Sequence, residues 1–367
     1  MFTMNRAGIK YFTAIILFNL FVFLLFWIIF LKTSLVKTDA GYTYKVKNGS
    51  SFKAVAADLH AQHFLAHPAL FNFLVFLRND AKHLKAGEYF FPRGTTPSSL
   101  IKQLATGHGM ILHEFIIVPG ETFLAVRTEL NNDPSLQHKT KNLTDDAIMK
   151  KLHAQVLTPE GQFFPDTYYF AADTADTTLL KRAYRAMQDK LSLAWESRTA
   201  DLPFQNSYQA LIAASIVEKE AYLEDERPKI ASVLINRLKK NIILQFDPTV
   251  IYGLGARYRG AIYKQDLSDA SNLYNTYVYK GLPPSPIAMP SLESIKAVMD
   301  PDKDDFLYFV ATGKGGRHQF SRTLNQHNIA VGHARNYHPV GFNFGLLKKY
   351  LHKHVVLNVS MQRAPLN

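Results

Sequence analysis

Residues Tyr11 to Leu31, YFTAIILFNLFVFLLFWIIFL, run for 21 positions without a charged side chain. As an α-helix rising about 1.5 Å per residue, such a stretch is roughly 30 Å long, the thickness of a bilayer's hydrocarbon core. Apolar residues occupy its whole circumference, so it requires a lipid or protein surround on every side. The h-region of a cleaved signal peptide spans only about 7–15 residues, and no small-x-small site follows here. The stretch therefore reads as an uncleaved anchor. Arg6 and Lys10 precede it and Lys32 and Lys37 follow, a balance that leaves its orientation open. No second run of this kind occurs, so the chain is expected to cross a membrane once.

The remaining length suffices for two or three domains, and a composition of 47% hydrophobic and 20% charged residues is that of a folded protein. Cysteine is absent, which excludes disulfides, thiolate nucleophiles and cysteine-ligated zinc. The formal charge of +12 favours anionic partners such as an acidic polymer or acidic lipid. The basic residues are dispersed, with no block longer than the Lys-Lys pairs at 150, 239 and 348, so no nucleic-acid footprint is present.

After a polar linker over 32–42, alternation at Tyr42, Tyr44 and Val46 predicts a strand. Asn48-Gly49 predicts a turn, and Ser50 or Ser51 caps a helix carrying Phe52, Val55, Ala56 and Leu59. The segment LKAGEYFFPRGTTPSSLIKQLATG repeats strand, turn and helix, closing a small α/β unit over 43–109. ILHEFIIVPGETF predicts a further strand and helix start, opening a connecting segment over 110–155. From 156 to 340 the chain is aromatic-rich and mixed. Within it, FLYFVATGKGGRHQFSRT reads as a hairpin, because the glycines lack the spacing of a phosphate-binding loop. His60, His63 and His67 share one helical face, but no carboxylate stands at metal-site spacing, so no metal is expected. The tail over 341–367 contains FGLLKKYLHKHV, a basic amphipathic pattern for docking on the protein body or a membrane surface.

One stretch carries the chemistry. In LIAASIVEKEA, Leu211 to Ala221, an apolar helix ends in Glu218, Lys219 and Glu220. On a helical wheel Glu218 lies between Leu211 and Ala214, with Ala221 a turn further on, while Glu220 points nearly the opposite way. Small neighbours let another molecule approach Glu218, and a carboxyl withdrawn from water holds its proton as a general acid must. The bland alternative is a Glu218 that pairs with a buried cation.

The strings EGQFFPDTYYF, ASIVEKEA, DERPKIASVLINRLKKNIILQFDPTVIYGLG, LYNTYVYKGLPPSPIAMPSLESIKAVMDP and LYFVATGKGGRHQFSRTLNQHN occur in that order. Together they resemble the endolytic murein transglycosylase (YceG-like) family over residues 43 to 335. The resemblance implies an α+β fold with an N-terminal membrane helix, a LysM-like module over 43–109 and a catalytic domain distantly lysozyme-like over 156–340. It implies that residues 1–10 are cytoplasmic, that 11–31 span the inner membrane of a bacterium and that the catalytic domain is periplasmic. It further implies endolytic cleavage between N-acetylmuramic acid and N-acetylglucosamine in peptidoglycan, leaving 1,6-anhydro ends and limiting strand length, without a cofactor and alongside peptidoglycan synthases. It implies that the catalytic glutamate is the first Glu of VEKE, which is Glu218, acting as acid and then base.

Lytic cleavage needs only one carboxyl, because the sugar's own C6 hydroxyl replaces water, whereas hydrolytic glycosidases generally use two. Asp247 is a second acid in the hydrolytic alternative; a non-catalytic glycan-binding envelope scaffold is the other rival. Gln245, Asp247, Tyr274, Asn275, Thr276 and Tyr277 are the expected substrate contacts, since aromatic faces suit sugar rings and amides suit N-acetyl groups. Pro283, Pro284 and Pro286 stiffen the loop that follows. Departures from the family pattern occur at Phe246, in place of a usual Ser, at Gln162 and Phe163, and in IVPGETF. Phe246 is expected to reshape a sugar subsite.

Overall fold

The computed structural model describes residues 6–156, 158–312 and 315–335. The amphipathic pattern read in the tail lies outside them. The described chain is α+β. It opens with helix α1 (Arg6–Lys32), whose Tyr11–Lys32 portion is long and apolar enough to cross a membrane.

Strand β1 (Tyr42–Val46), helices α2 (Phe52–Ala61) and α3 (Pro68–Leu77), strand β2 (Gly87–Phe91) and helix α4 (Pro97–Thr106) follow. The expected caps are present. Ser51 accepts from the Ala54 amide at the start of α2, and Thr96 and Ser99 form a reciprocal capping box on α4. Gly107 closes α4 with a φ of 83°, a left-handed conformation that a residue without Cβ adopts freely.

The helix carrying His60 ends at Ala61. His63 is left-handed at φ 57° and His67 caps α3, so the three histidines do not share the helical face predicted for them. Instead, the His60 ring Nδ1 lies 2.8 Å from the Leu65 carbonyl oxygen.

Strand β3 (Met110–Ile116) leads to α5 (Phe123–Asn132), the short β4 (Leu136–Gln137) and α6 (Asp145–Lys151). β5 (Thr167–Ala171) and β6 (Thr174–Ala175) precede the long helix α7 (Asp176–Glu196). Four antiparallel strands pair in the order β1-β2-β3-β5, with Tyr44 opposite Tyr89 and Phe115 opposite Tyr168. β4 and β6 form a separate parallel pair.

The chain divides into two compact units. One runs as far as Ile117 and includes Val126–Gln155 and Asp166–Ala183; the other comprises Val118–Ala125, Val156–Pro165 and the chain from Tyr184. The expected connecting segment over 110–155 is thus largely part of the first unit, and so are residues 166–183. The reason is strand pairing: β5 joins β3 at the sheet edge and carries its neighbours with it.

The second unit is mainly helical. It contains α8 (Ser207–Glu220), α9 (Arg227–Lys239), α10 (Asp247–Leu254), the single turn α11 (Lys264–Leu267) and α12 (Leu292–Met299). The hairpin of β7 (Tyr308–Ala311) and β8 (His318–Ser321), at the predicted place, is followed by α13 (Leu324–Arg335).

Helix α8 is central to this unit. Asn206 caps it by accepting from the Gln209 amide, and every residue from Ala210 to Val217 is buried. It packs against α9, α10 and α12. The Ser215 hydroxyl donates to the Ile212 carbonyl and accepts from the Ile287 amide at 3.0 Å, fastening the proline loop to the helix. Phe246 lies in this core, 2% exposed and against Phe309. It therefore fills the interior and does not line a subsite as its sequence position suggested.

Candidate active site

The two glutamates at the end of α8 have different surroundings. The Glu218 side chain is 6% exposed. Its Oε2 accepts from the Ser291 amide at 2.9 Å, from the Ser291 hydroxyl at 2.5 Å and from the Ser294 hydroxyl at 2.7 Å. Ser291 is the N-cap of α12, so the carboxylate also lies at the positive end of that helix. The Arg227 guanidinium stands 3.7 Å from Oε1 and donates through Nε to Ser294 Oγ at 3.1 Å. On its remaining side Lys219 donates to the Gly120 carbonyl. Burial lowers the Lys219 ammonium's proton affinity, while Glu218, Glu160 and Glu121 raise it.

The small residues of the stripe do admit a close neighbour, as expected. That neighbour is the chain's own α12, and the pocket it makes is polar. Glu218 is enclosed by donors that suit a carboxylate. The buried cation of the bland alternative is present as Arg227, 3.7 Å from Oε1.

Glu220 faces α10. It is partly buried, and among the described residues no hydrogen bond or ion pair reaches its carboxyl. Burial first, and then the nearby charge of Asp247, push it up to about 8. Asp247 is exposed and accepts a 2.6 Å hydrogen bond from the Tyr277 hydroxyl. Burial, that bond and the charges of Asp247 and Glu220 raise the Tyr277 phenol's proton affinity, while Arg237 lowers it. Glu220, Asp247 and Tyr277 therefore interact as one group. Gln245 adjoins them.

Arg237 builds this edge from below. Its buried guanidinium donates from Nε to the Leu307 carbonyl at 2.6 Å, and from Nη1 to the carbonyls of Ile243 and Leu244 and to Gln245 Oε1. Gln245 is left-handed, with φ 55°, a conformation uncommon outside glycine. Its amide donates to the Thr276 carbonyl at 3.0 Å, so the 243–245 turn is tied from two sides.

The six expected substrate contacts divide accordingly. Gln245, Asp247 and Tyr277 present polar groups at the Glu220 edge. Asn275 is fully buried; its Nδ2 donates to the carbonyls of Asp266, Leu267 and Asp269, and its Oδ1 accepts from the Tyr277 amide. Thr276 is buried too, its hydroxyl bonded to the Phe246 amide and to Thr249 Oγ1. Tyr274 packs on Tyr252 with its hydroxyl 2.7 Å from Ser285 Oγ. These three build the loop; their polar groups are already paired within the chain.

Sequence reasoning placed Glu220 off the Glu218 stripe but did not anticipate its approach to Asp247, the role of Arg237 or the Ser291–Ser294–Arg227 shell. A wheel shows that Glu220 leaves the Glu218 stripe, but not that α10 lies on its other side.

By fold and site this is an α+β protein that gathers carboxyl, amide and phenol groups at one edge, the composition of a site for a polar, hydroxyl-rich ligand. Residues 44–333 match the YceG-like family, and the chain belongs to it. The endolytic murein transglycosylase of Bacillus subtilis is 30% identical over 315 residues, which cover 80% of this chain and 86% of that one. The endolytic murein transglycosylase of Streptococcus pneumoniae strain R6 is 26% identical over 335 residues, covering 81% of this chain and 60% of its own. The crystal structure of a YceG-like protein from Listeria monocytogenes superposes with a TM-score of 0.50 at 28% identity, over 80% of this chain and 99% of that one.

Proposed function

We propose that the chain is a membrane-anchored lytic transglycosylase that cuts within peptidoglycan glycan strands, with Glu220 as its proton donor and acceptor. The murein transglycosylase name of the relatives supports the reaction class. The observation that carries the residue assignment is the contrast at the end of α8. Glu218 Oε2 accepts three hydrogen bonds and Oε1 faces Arg227 at 3.7 Å, whereas Glu220 accepts none among the described residues, lies beside an exposed acid, and is pushed up to about 8. A carboxyl of that affinity holds its proton at neutral pH, as a general acid must.

In the reaction, the Glu220 carboxyl gives its proton to the bridging oxygen as the bond from muramic C1 breaks. The C6 hydroxyl of the same sugar then bonds to C1, and its proton goes to the Glu220 carboxylate. The 1,6-anhydro ring closes and the acid is restored without water. Asp247, fixed by the Tyr277 hydroxyl, supplies negative charge near the developing oxocarbenium ion. Gln245 and Tyr277 meet the sugar's polar groups. Glu218 acts through the fold, holding α12 and Arg227 against α8.

In this reading the 43–109 module is LysM-like and contacts glycan, α1 holds the chain at the inner membrane, and the two units work in the periplasm alongside peptidoglycan synthases. Two neighbouring carboxyls are also what a hydrolase needs, so Asp247 as a base gives the second reading. Digestion of purified murein followed by mass spectrometry tests both. Products lighter by one water, absent with Glu220→Gln, are expected. Hydrated ends assign the hydrolase, and full activity of Glu220→Gln removes Glu220 from the reaction.

A further inference from the structure

Helix α3, PALFNFLVFL, contains no charged residue, and Asn72 is its one side chain that is neither apolar nor proline. One side buries Phe71, Leu74 and Val75 in the core of the α/β unit. The other leaves Phe73 44%, Phe76 75% and Leu77 56% exposed, with Ala69 also exposed, at the i, i+4, i+7, i+8 spacing of a single face. A helix apolar on both sides is normally covered on both.

The end of α1 indicates what covers it. Phe30 of α1 is buried in the same core as α3, with Trp27 and Leu31 packed against it. The Trp27 ring meets Phe73 edge-on at 5.5 Å, and Phe26 meets His67 at 5.6 Å. Phe26 and Trp27 are one residue apart, about 1.5 Å along α1, whereas their partners are His67, the N-cap of α3, and Phe73, more than a turn into that helix. So α3 lies across α1. The first charged residue after Trp27 is Lys32, about 7.5 Å further along the helix. If α1 spans a bilayer, Trp27 sits at the depth of the interfacial aromatic belt, and Phe73 sits there with it.

We propose that α3 lies in the plane of the membrane interface, with Phe73, Phe76 and Leu77 inserted among headgroups and upper acyl chains. This rests on reading α1 as a membrane span. Helices that lie at an interface bury such a face about 5–10 Å below the headgroups. The module is then seated on the lipid by two elements, one crossing and one flat, which fixes its tilt as α1 alone does not.

The absence of cysteine allows single-site labelling of the full chain. Leu20→Cys, Phe76→Cys and Tyr169→Cys are each labelled with a nitrobenzoxadiazole fluorophore and reconstituted in phosphatidylethanolamine–phosphatidylglycerol vesicles. The vesicles contain lipids spin-labelled either at the headgroup or deep in the acyl chain. Tyr169 is exposed on β5, three strand spacings from β1 or about 14 Å, and serves as the reference. The label at 20 is expected to be quenched most by the deep spin label. The label at 76 is expected to be quenched several-fold more by the headgroup label than the one at 169. Adding Phe73→Ser and Leu77→Ser should reduce that difference. Quenching at 20 with no excess at 76 overturns the proposal, as does blue-shifted emission at 76 without lipid quenching, which marks a protein partner. Loss of quenching at 20 overturns the span itself.

Discussion

The two sides of helix α8 hold the same side chain two residues apart and treat it in opposite ways. On the α12 side, Glu218 meets two hydroxyls, an amide and a guanidinium. On the α10 side, Glu220 meets burial and another acid. Donors stabilise a buried carboxylate as the anion, whereas desolvation beside a like charge favours the neutral acid. The surroundings of each carboxyl are therefore set by what packs on each face, and the helix contributes only the spacing.

The most severe test of that contrast is Glu220→Gln. Glutamine keeps the shape and has no transferable proton, so turnover of murein should fall by about 10²- to 10⁴-fold with the thermal transition retained. Wild-type turnover would end the contrast. The converse is Glu218→Gln, which leaves Arg227 and two serine hydroxyls around a neutral amide. Breaking one partner of a buried pair costs about 3–5 kcal/mol, so this variant should melt well below wild type, while its folded fraction keeps activity within a few-fold. A stable but inactive Glu218→Gln would reverse the two roles.

Asn275→Ala sharpens the assignment of the loop. It removes an amide that donates to three carbonyls, and unsatisfied buried groups cost about 1–3 kcal/mol. Denaturant midpoints should fall by that order, with specific activity of the folded protein reduced less. A variant of unchanged midpoint and lost turnover would return Asn275 to the substrate.

The smallest expected effect is a shift in pH dependence. Glu220 is pushed up to about 8 from an ordinary 4.5. Between those values the folded chain binds one proton more than the unfolded chain, so stability falls as pH rises and levels off above about 8. Glu220→Gln should flatten that slope in melts taken from pH 5 to 9. The kcat/KM profile should lose activity through a basic limb near 8, because the first step needs the proton. Asp247→Asn removes the secondary cause and should move the limb to lower pH, leaving burial as the main one. An unmoved limb would show that Asp247's charge does not reach Glu220.

Much of the local structure was legible. The strand at Tyr42–Val46, the Ser51 and Thr96 caps and the hairpin after Phe306 follow from side-chain period and turn chemistry, which act over a few residues. The histidine face failed for an equally local reason, because the chain turned at His63. For Phe246, Asn275 and Thr276, residue type suggested sugar contact, and their burial was not readable from neighbours in sequence.

By itself the sequence determined the apolar first helix, the α8 core helix ending in acids, and membership of the YceG-like family, because each is written in contiguous residues. Only tertiary structure decided which acid meets hydrogen-bond donors and which meets a second acid. That choice depends on Ser291, 73 residues beyond Glu218, and on Asp247, 27 beyond Glu220. Proton affinity is set by burial and by charges a few ångströms away, and no helical wheel contains those neighbours.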